Sequence, residues 1–374
     1  MENYLFFIIF TISFLYAYFG YPMLLAIFSL FSRRKHETPG DTDHYPEVTL
    51  LIAAYNEEDV IEEKVKNSLA LDYPKDKLHI VVVSDGSTDR TDEIVKKYED
   101  RGVELFRTER LGKTVARNRA VENAKGELIV LTDANAFFRQ DALKKLVKHF
   151  QDPEVGVVCG ALVLKRADGS ENLYWRYEKL IKRLEDKFHS IIGANGSIYA
   201  MRRELYDPLP PEVDDDFVEP LIAYMKGEKA IYESEAISEE EDIPADDMQS
   251  EFQAKRRVVL RGLQSLAHVK GILNPFKYPT MAFEIFSHKI MKWFVPFSLI
   301  GILVSTFFLP RTPFAIITFL IEDIFIITAI LGLFTKKGML QIPAYFLLTN
   351  SAVLVAVLQF LAGTRSTRWE KRGG

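Results

Sequence analysis

Residues Tyr4 to Ser32 run for 29 residues without a charge. A helix needs only about 20 apolar residues to cross a bilayer, so this stretch constrains the fold more than any other: one end of the chain is expected to fold in lipid. Arg33, Arg34 and Lys35 follow at once. Basic residues gather on the cytoplasmic side of a span, which places the N-terminus outside and the next segment in the cytosol. A cleaved leader is the competing reading, but Met1-Glu2-Asn3 lacks a basic region and the apolar run is too long for one.

Two further uncharged runs lie near the other end, Trp293 to Pro310 (18 residues) and Gly338 to Thr364 (27 residues). Between them, Thr312 to Thr335 is apolar except for Glu322-Asp323 at its centre. Acids there are costly against lipid, so the segment reads either as a span whose acids face protein or water, or as a hairpin that dips in and returns. Four crossings put Arg365, Arg368, Lys371 and Arg372 outside, against the positive-inside rule; a non-spanning middle segment puts them inside but leaves Lys336-Lys337 outside. The expected organisation is a transmembrane anchor at 1–32, a cytosolic domain at 33–246, an amphipathic interfacial segment at 247–292, a C-terminal transmembrane region at 293–364 and a basic tail at 365–374.

The 374 residues leave room for one sizeable cytosolic domain between the anchors. A formal net charge of -5, with no basic stripe interleaved with aromatics, argues against nucleic acid as a partner. Cys159 is the only cysteine, so no disulfide forms within the chain; its apolar surroundings from Val155 to Leu164 mark it as a buried thiol.

Short apolar runs at Val48 to Ala53, Leu78 to Val83, Val103 to Phe106 and Leu128 to Leu131 alternate with helical patterns at Val60 to Ser68, up to Tyr98, and at Thr114 to Ala124. Buried strands alternating with helices make a doubly wound, mostly parallel α/β sheet, whose ligands bind beyond the carboxyl ends of the strands. Those ends are the loops at Tyr55, Asp85 and Asp133. No repeat or low-complexity linker interrupts the domain. The acidic stretch Glu233 to Asp247 reads as a solvated loop, and Asp247 to Ala267 as an amphipathic helix, either on the membrane surface or packed on a core.

Asp133 leaves its strand two positions before Asn135, and in extended geometry the two side chains point the same way and share a hard cation such as Mg²⁺ or Mn²⁺. Asp85, at a neighbouring strand end, is placed to accept hydrogen bonds from a ribose or base; each acid read alone is equally a helix cap. Of the three adjacent acids Asp214, Asp215 and Asp216, one is suited to cap the following helix, while another, its pKa raised by its neighbours, is suited to act as a general base. Gly112-Lys113-Thr114 imitates a phosphate loop, but Arg107 stands where that motif needs its first glycine. No GxGxxG follows any candidate strand.

The motifs Ala54-Tyr55-Asn56-Glu57-Glu58, Ser84-Asp85-Gly86-Ser87-Thr88-Asp89, Gly112-Lys113 with Asn118, Thr132-Asp133-Ala134-Asn135, Gly193-Ala194-Asn195-Gly196 and Asp215-Asp216-Phe217 stand in the order seen in family 2 glycosyltransferases. Over roughly residues 1 to 364 the chain resembles the membrane-embedded branch that includes cellulose, hyaluronan and poly-N-acetylglucosamine synthases. The resemblance implies a GT-A (Rossmann-like) fold with transmembrane helices at both ends, Mg²⁺ or Mn²⁺, and inverting transfer from a nucleotide-sugar donor, with UDP-sugar expected, to a polysaccharide precursor or lipid-linked acceptor. It implies that Tyr55 and Glu57 meet the base, Asp85 the base or ribose, and Lys113 the donor. Asp133 and Asn135 would hold the metal, and Asp216 would be the base, with Asp215 as understudy. Gly193, Asn195 and Gly196 would line the acceptor.

Two departures qualify the resemblance. Asn135 stands where the family's metal motif has a second Asp, and its amide is the weaker ligand. The processive synthases carry Gln-x-x-Arg-Trp, whereas this chain has Gln253-Ala254-Lys255-Arg256-Arg257: Arg256 or Arg257 is left to meet the diphosphate, with no indole for an acceptor sugar to stack on. The expected protein is a multi-pass enzyme of the cytoplasmic membrane with its catalytic domain in the cytosol; with so few spans, a product path would need a second copy or an export partner. The alternatives are a sugar nucleotidyltransferase, disfavoured because no Gly-rich loop follows the first strand, and a membrane scaffold or transport subunit that keeps the fold without catalysis.

Overall fold

A computed structural model describes residues 2–32, 45–165, 173–241, 247–335 and 338–365. The basic residues expected to orient the spans, Arg33 to Lys35, Lys336-Lys337, Arg368, Lys371 and Arg372, lie outside the described residues, as do the domain limits at 33 and 246.

The first apolar run is a helical rod, α1 (Glu2–Leu15) and α2 (Tyr21–Phe31), joined through a π-helical turn at Tyr16–Gly20. The α/β domain then alternates β1 (Val48–Ala54), α3 (Ile61–Leu69), β2 (Leu78–Asp85), α4 (Thr91–Lys96), β3 (Val103–Thr108), α5 (Lys113–Glu122) and β4 (Leu128–Asp133). It continues through β5 (Phe137–Phe138), α6 (Ala142–Val147), β6 (Val155–Lys165), α7 (Leu173–Phe188), β7 (Tyr199–Arg202), α8 (Asp215–Met225) and β8 (Lys229–Glu241).

The sheet order is β3-β2-β1-β4-β7-β6-β8-β5. The first four strands are parallel, β7 is antiparallel to both neighbours, and β6 and β8 pair in parallel. The sheet is therefore mixed, with the expected parallel half intact. Leu50, Leu51, Ile52, Val82, Val83, Ile129, Val130 and Leu131 have no solvent exposure. Helices cover both faces of these strands, and each such side chain contributes about 1.5–3 kcal/mol of burial free energy. Register pairs Ala54 with Ser84 and Ala53 with Asp133, so the three expected loops leave one edge side by side.

Two local expectations change. Asp133 and Asn135 are not in extended geometry: the Ala136 amide donates to the Asp133 carbonyl (3.2 Å), closing a tight turn. The acids from Glu233 to Glu241 lie on β8, not in a solvated loop. Glu233 is buried against His149 Nε2 (2.7 Å) and Lys148 (3.1 Å). Burial alone would raise its carboxyl, but these partners pull it down to about 2. Acids read as solvated by composition are here the partners of α6-side cations.

After β8 come α9 (Met248–His268), capped by Asp247 Oδ1 accepting from the Ser250 amide (2.7 Å), then α10 (Pro279–Ile285) and α11 (Met291–Phe307). A π turn at Phe286–Ile290 makes α10 and α11 one apolar helix, starting at Pro279 and not at Trp293. The difference arises because the polar Glu284 and His288 are buried, where they face the α/β domain through His189 and Glu185. α12 (Pro313–Leu333) and α13 (Gln341–Leu361) complete four helices long and apolar enough to cross a membrane.

The α1–α2 rod runs antiparallel to α10–α11. Tyr4 bonds Thr312 beyond the end of α11 (3.3 Å), Phe10 packs on Gly301, and Tyr16 bonds Ser287 (2.7 Å). In α12, Glu322 accepts from Thr306 Oγ1 of α11 (2.8 Å), while Asp323 beside it is exposed. α13 lies beside α9 and runs the same way. Tyr345 donates to Glu251 near their starts (2.8 Å); near their ends Gln264 donates to the Thr364 carbonyl (3.2 Å) and Arg365 pairs with Glu212 (3.4 Å).

Candidate active site

The loops after β1 and β2 are stitched together by local polar groups. Asn56 takes a left-handed conformation (φ 53°), its side chain accepts from the Thr88 amide (2.8 Å), and its own amide donates to Ser87 Oγ (3.2 Å). The buried Glu57 follows, with its amide on Thr91 Oγ1 (2.8 Å). Asp85 is 3% exposed and accepts from the Leu111 amide (2.8 Å), the Gly112 amide (3.0 Å) and Arg110. Only glycine fits at position 86, where φ is +70° and a Cβ would stand 2.7 Å from the Arg110 amide nitrogen. The Arg110 guanidinium lies 3.3 Å from the Tyr55 ring centroid, a cation–π contact. Behind it a small pocket is lined by Ala53, Ala54, Tyr55, Val83, Asp85, Lys113 and Ala116. Tyr55, Asp85 and Lys113 thus meet in one cleft, while Asp85 organises the segment from Arg110 to Gly112.

Lys113, the first residue of α5, places Nζ 2.6 Å from Asp133 Oδ1. Arg117, one turn on and fully buried, reaches the same oxygen through Nη2 (3.0 Å), donates to the Thr132 carbonyl (2.9 Å), and holds Asp215 through Nη1. Burial opposes the charge on Asp215, but Arg117 and Lys113 bring its carboxyl down to about 2. Asp215 is thereby held as the counterion of Arg117.

Asp216, its neighbour at the start of α8, is different. Its side chain has no hydrogen-bond partner among the described residues, and burial together with the charges of Asp215 and Asp214 pushes its carboxyl up to about 6. A Cβ on Gly196 would lie 3.0 Å from Asp216 Oδ2 and 3.7 Å from Lys113 Nζ, so the free carboxylate and the lysine meet at that glycine. Gly193 lies against Phe217, with room for a Cβ only at 3.3 Å. Asn195 is instead buried, with Nδ2 donating to the Gly160 carbonyl (2.7 Å). It shapes the loop and does not line an open acceptor face.

Arg256 and Arg257 are half-buried on α9. About a turn later Arg261 makes the link to the acidic segment: Nε to Asp214 Oδ1 (2.5 Å), Nη1 to the Pro211 carbonyl (3.1 Å) and Nη2 to the Val213 carbonyl (3.1 Å). Arg117, Lys64 and Arg261 were not anticipated in the site. Lys64 is fully buried beneath the Asp133 turn, donating to Thr132 Oγ1 (3.1 Å) and to the Ala136 carbonyl, with the Phe138 ring 4.3 Å away. Burial lowers its pKa to about 7. Both Lys64 and Arg117 occupy the buried stripe of their helices, beside Ile61, Val65 and Ser68 or Ala116 and Ala120. A cation at a core position of a helical pattern is the signal that marks them.

Among the described residues no group of three His, Cys, Asp or Glu side chains is placed to hold a metal. Among the described residues Asp133 keeps Oδ2 clear, since both its cationic partners sit on Oδ1, and the exposed Asn135 has no hydrogen bond to its side chain. Two oxygen donors at a turn fit a hard cation that takes its remaining ligands from water and a diphosphate, the usual manner of Mg²⁺. A wider depression at the opposite edge of the sheet, lined by Tyr45, Glu47, Lys77, Glu127 and Arg203, contains none of these groups.

Residues 49–209 match the family described as "Glycosyl transferase family 2". The match ends short of Asp216. The chain is similar to poly-beta-1,6-N-acetyl-D-glucosamine synthase of Staphylococcus aureus, 34% identical over 123 residues, which are 32% of this chain and 29% of that protein. It is similar to beta-monoglucosyldiacylglycerol synthase of a Synechocystis strain, 34% identical over 35% of this chain and 28% of that one. The matched segment thus spans under a third of either relative's length. Among solved structures, a mannosyltransferase from Pyrobaculum calidifontis, crystallised with GDP-Man and Mn²⁺, superposes with a TM-score of 0.74 at 25% identity, covering 97% of this chain and 99% of that one. The sheet and its flanking helices are therefore a GT-A fold, with apolar helices at both ends.

Proposed function

We propose, from the premise that the chain carries a glycosyltransferase family 2 domain, that it is a membrane-bound inverting transferase. It moves a sugar from a nucleoside diphosphate to a hydroxyl on a polysaccharide precursor or lipid-linked glycan. The observation that carries this reading is Asp216: a carboxylate with no side-chain hydrogen bond among the described residues and a raised pKa, facing Lys113 and the Asp133 turn. A base needs that condition, because a carboxylate held by an arginine, as Asp215 is, has its pKa lowered and binds a proton too weakly to take one from the acceptor.

Tyr55 and Asp85 would frame the base and ribose, and Lys113 would meet the diphosphate. Asp133 Oδ2 and Asn135 Oδ1 would hold Mg²⁺ or Mn²⁺, which when bound offsets negative charge on the diphosphate. Asp216 takes the acceptor proton as the acceptor oxygen bonds to the anomeric carbon and the nucleoside diphosphate departs from the opposite face. Gly196 leaves the space in which acceptor and base meet. Arg117 keeps Asp215 ionised and holds both Asp215 and Asp133 in place beside Asp216.

The test is to incubate the purified full-length chain in detergent with UDP- and GDP-sugars and Mg²⁺ or Mn²⁺, scoring nucleoside diphosphate release. A UDP-sugar is the donor expected from the motifs; the GDP-Man of the archaeal neighbour makes GDP-sugars a necessary arm. Release that depends on Asp216 supports the reading. Folded protein that releases nothing from any donor overturns it.

For the membrane we propose three crossings, α1–α2, α10–α11 and α12, with α13 lying along α9 at the cytosolic interface. The support is that Tyr345 near the start of α13 bonds Glu251 of α9, and Arg365 just beyond its end pairs with Glu212 of the α/β domain. This arrangement puts Arg365 and the basic tail on the cytosolic side, where the positive-inside rule wants them. Cys159 is buried, so a single cysteine introduced after Arg365 reports alone: protection from an impermeant maleimide in intact cells fits the arrangement, and labelling from outside overturns it.

A further inference from the structure

We propose that Lys182 and Lys289 form a subsite for the anionic headgroup, a phosphate or diphosphate, of a membrane-lipid acceptor; this rests on the reading of Asp216 as the base. Lys182, on α7, directs Nζ to the carbonyls of Gly193 and Ala194 (3.3 Å to the latter), the loop against which Phe217 packs. Lys289, in the π turn between α10 and α11, lies 5.2 Å from the Phe217 ring centroid. Phe217 follows Asp216 directly in α8. The two ammonium groups therefore approach the base's helix from the side where the apolar rods enter the domain.

The carboxylates in this region are engaged elsewhere. Glu178 takes Lys292 (2.8 Å) and His288 Nε2 (3.5 Å). Glu185 takes the Tyr21 hydroxyl (2.8 Å) and His288 Nδ1 (2.6 Å). Among the described residues neither Lys182 nor Lys289 has a carboxylate within ion-pair distance. Glu185 is near enough to act on both lysines and Glu178 on Lys289, but these acids are shared with Lys292 and His288, and an anion bound directly between the two half-buried ammonium groups offsets the charge left over.

The surroundings favour an anion that arrives on a lipid. Phe286, half exposed, is in the same π turn as Lys289, and Phe294 is exposed one turn into α11. Tyr16 of the first rod bonds Ser287 beside them (2.7 Å), which puts the lysines at the level where both rods meet the cytosolic domain. An acyl or prenyl chain along the rods would bring its headgroup to Lys289 and Lys182, and a hydroxyl beyond it to Asp216.

The test is a binding titration of the full-length protein in neutral detergent, with a fluorescent long-chain alkyl phosphate and the alcohol of the same chain, and no sugar donor. The phosphate should bind at least about tenfold more tightly than the alcohol. Lys182→Gln with Lys289→Gln should erase the difference, and Lys182→Arg with Lys289→Arg should keep it; if the double Gln variant does not fold, Lys289→Gln alone should narrow it. Equal binding of phosphate and alcohol by the wild type overturns the proposal. So does a folded Gln variant that behaves as wild type, or inorganic phosphate that competes at the concentration of the alkyl phosphate, which assigns the lysines to a soluble anion. Because no donor is present, this result and nucleoside diphosphate release succeed or fail separately.

Discussion

Gly196 stands so close to Asp216 that a Cβ on the glycine would lie 3.0 Å from Oδ2. The free carboxylate must shift by a few tenths of an ångström for any side chain at 196, and an acceptor loses the space beside it. Gly196→Ala should lower kcat by roughly tenfold, because small misplacements of a base are expensive in rate, while nucleotide affinity by calorimetry stays within about twofold of wild type. An alanine enzyme with unchanged kcat shows that the acceptor does not use this space.

Asp216→Asn should reduce nucleoside diphosphate release by about 10²–10⁴-fold, the usual worth of a general base. The wild-type rate should climb as pH rises through about 6, where the carboxyl loses its proton, and then level off. Stability moves the other way. A carboxyl whose pKa is raised on folding contributes stability at low pH that is lost between its model value of 3.8 and about 6. Melting temperatures of Asp216→Asn should therefore gain on wild type as pH passes from 4 to 6. A constant gap across that range shows that Asp216 is not held uncharged by the fold.

Arg117 is the counterion that the site depends on. Arg117→Met leaves Asp215 buried without a partner and should cost about 3–5 kcal/mol. Arg117→Lys should not restore it, since one ammonium does not reach Asp215, Asp133 and the Thr132 carbonyl together. Thermal unfolding in detergent decides this; a loss under 1 kcal/mol, roughly the range of an exposed ion pair, removes Arg117 from this role.

Lys64 has a depressed pKa, and the sign is again informative. The unfolded chain binds more protons than the folded one between about 7 and 10.5, so stability contributed at this site rises with pH over that interval. Wild type should gain on Lys64→Met from pH 7 to 10, while the variant weakens Mn²⁺ and nucleotide binding by loosening the turn from Thr132 to Ala136. Unchanged affinity together with a flat stability difference refutes both.

Asn135 supplies a neutral oxygen beside one carboxylate. Asn135→Asp should tighten Mn²⁺ by about tenfold, or roughly 1.4 kcal/mol, in a titration with nucleoside diphosphate present. No tightening means that residue 135 faces the sugar or solvent instead of the ion.

What could be read from the chain alone was whatever local periodicity and order encode. Uncharged runs marked the apolar helices, and short Val, Ile and Leu runs marked the parallel strands. The polar residues directly after those strands marked one ligand edge, because each strand end is a property of a few adjacent residues. The tertiary structure decided matters that depend on contacts across long separations. It assigned Asp215 to Arg117, 98 positions away, leaving Asp216 free. It placed Lys64 under a turn 68 to 72 residues downstream, put Arg261 on Asp214, and made a strand of the acids after Glu233 by pairing them with β6. It also laid α13 beside α9, a contact that no count of apolar residues reveals. Three adjacent aspartates are chemically identical in a sequence; only the charges and dipoles packed around each one decide which is held by Arg117, which by Arg261, and which stays without a side-chain partner among the described residues.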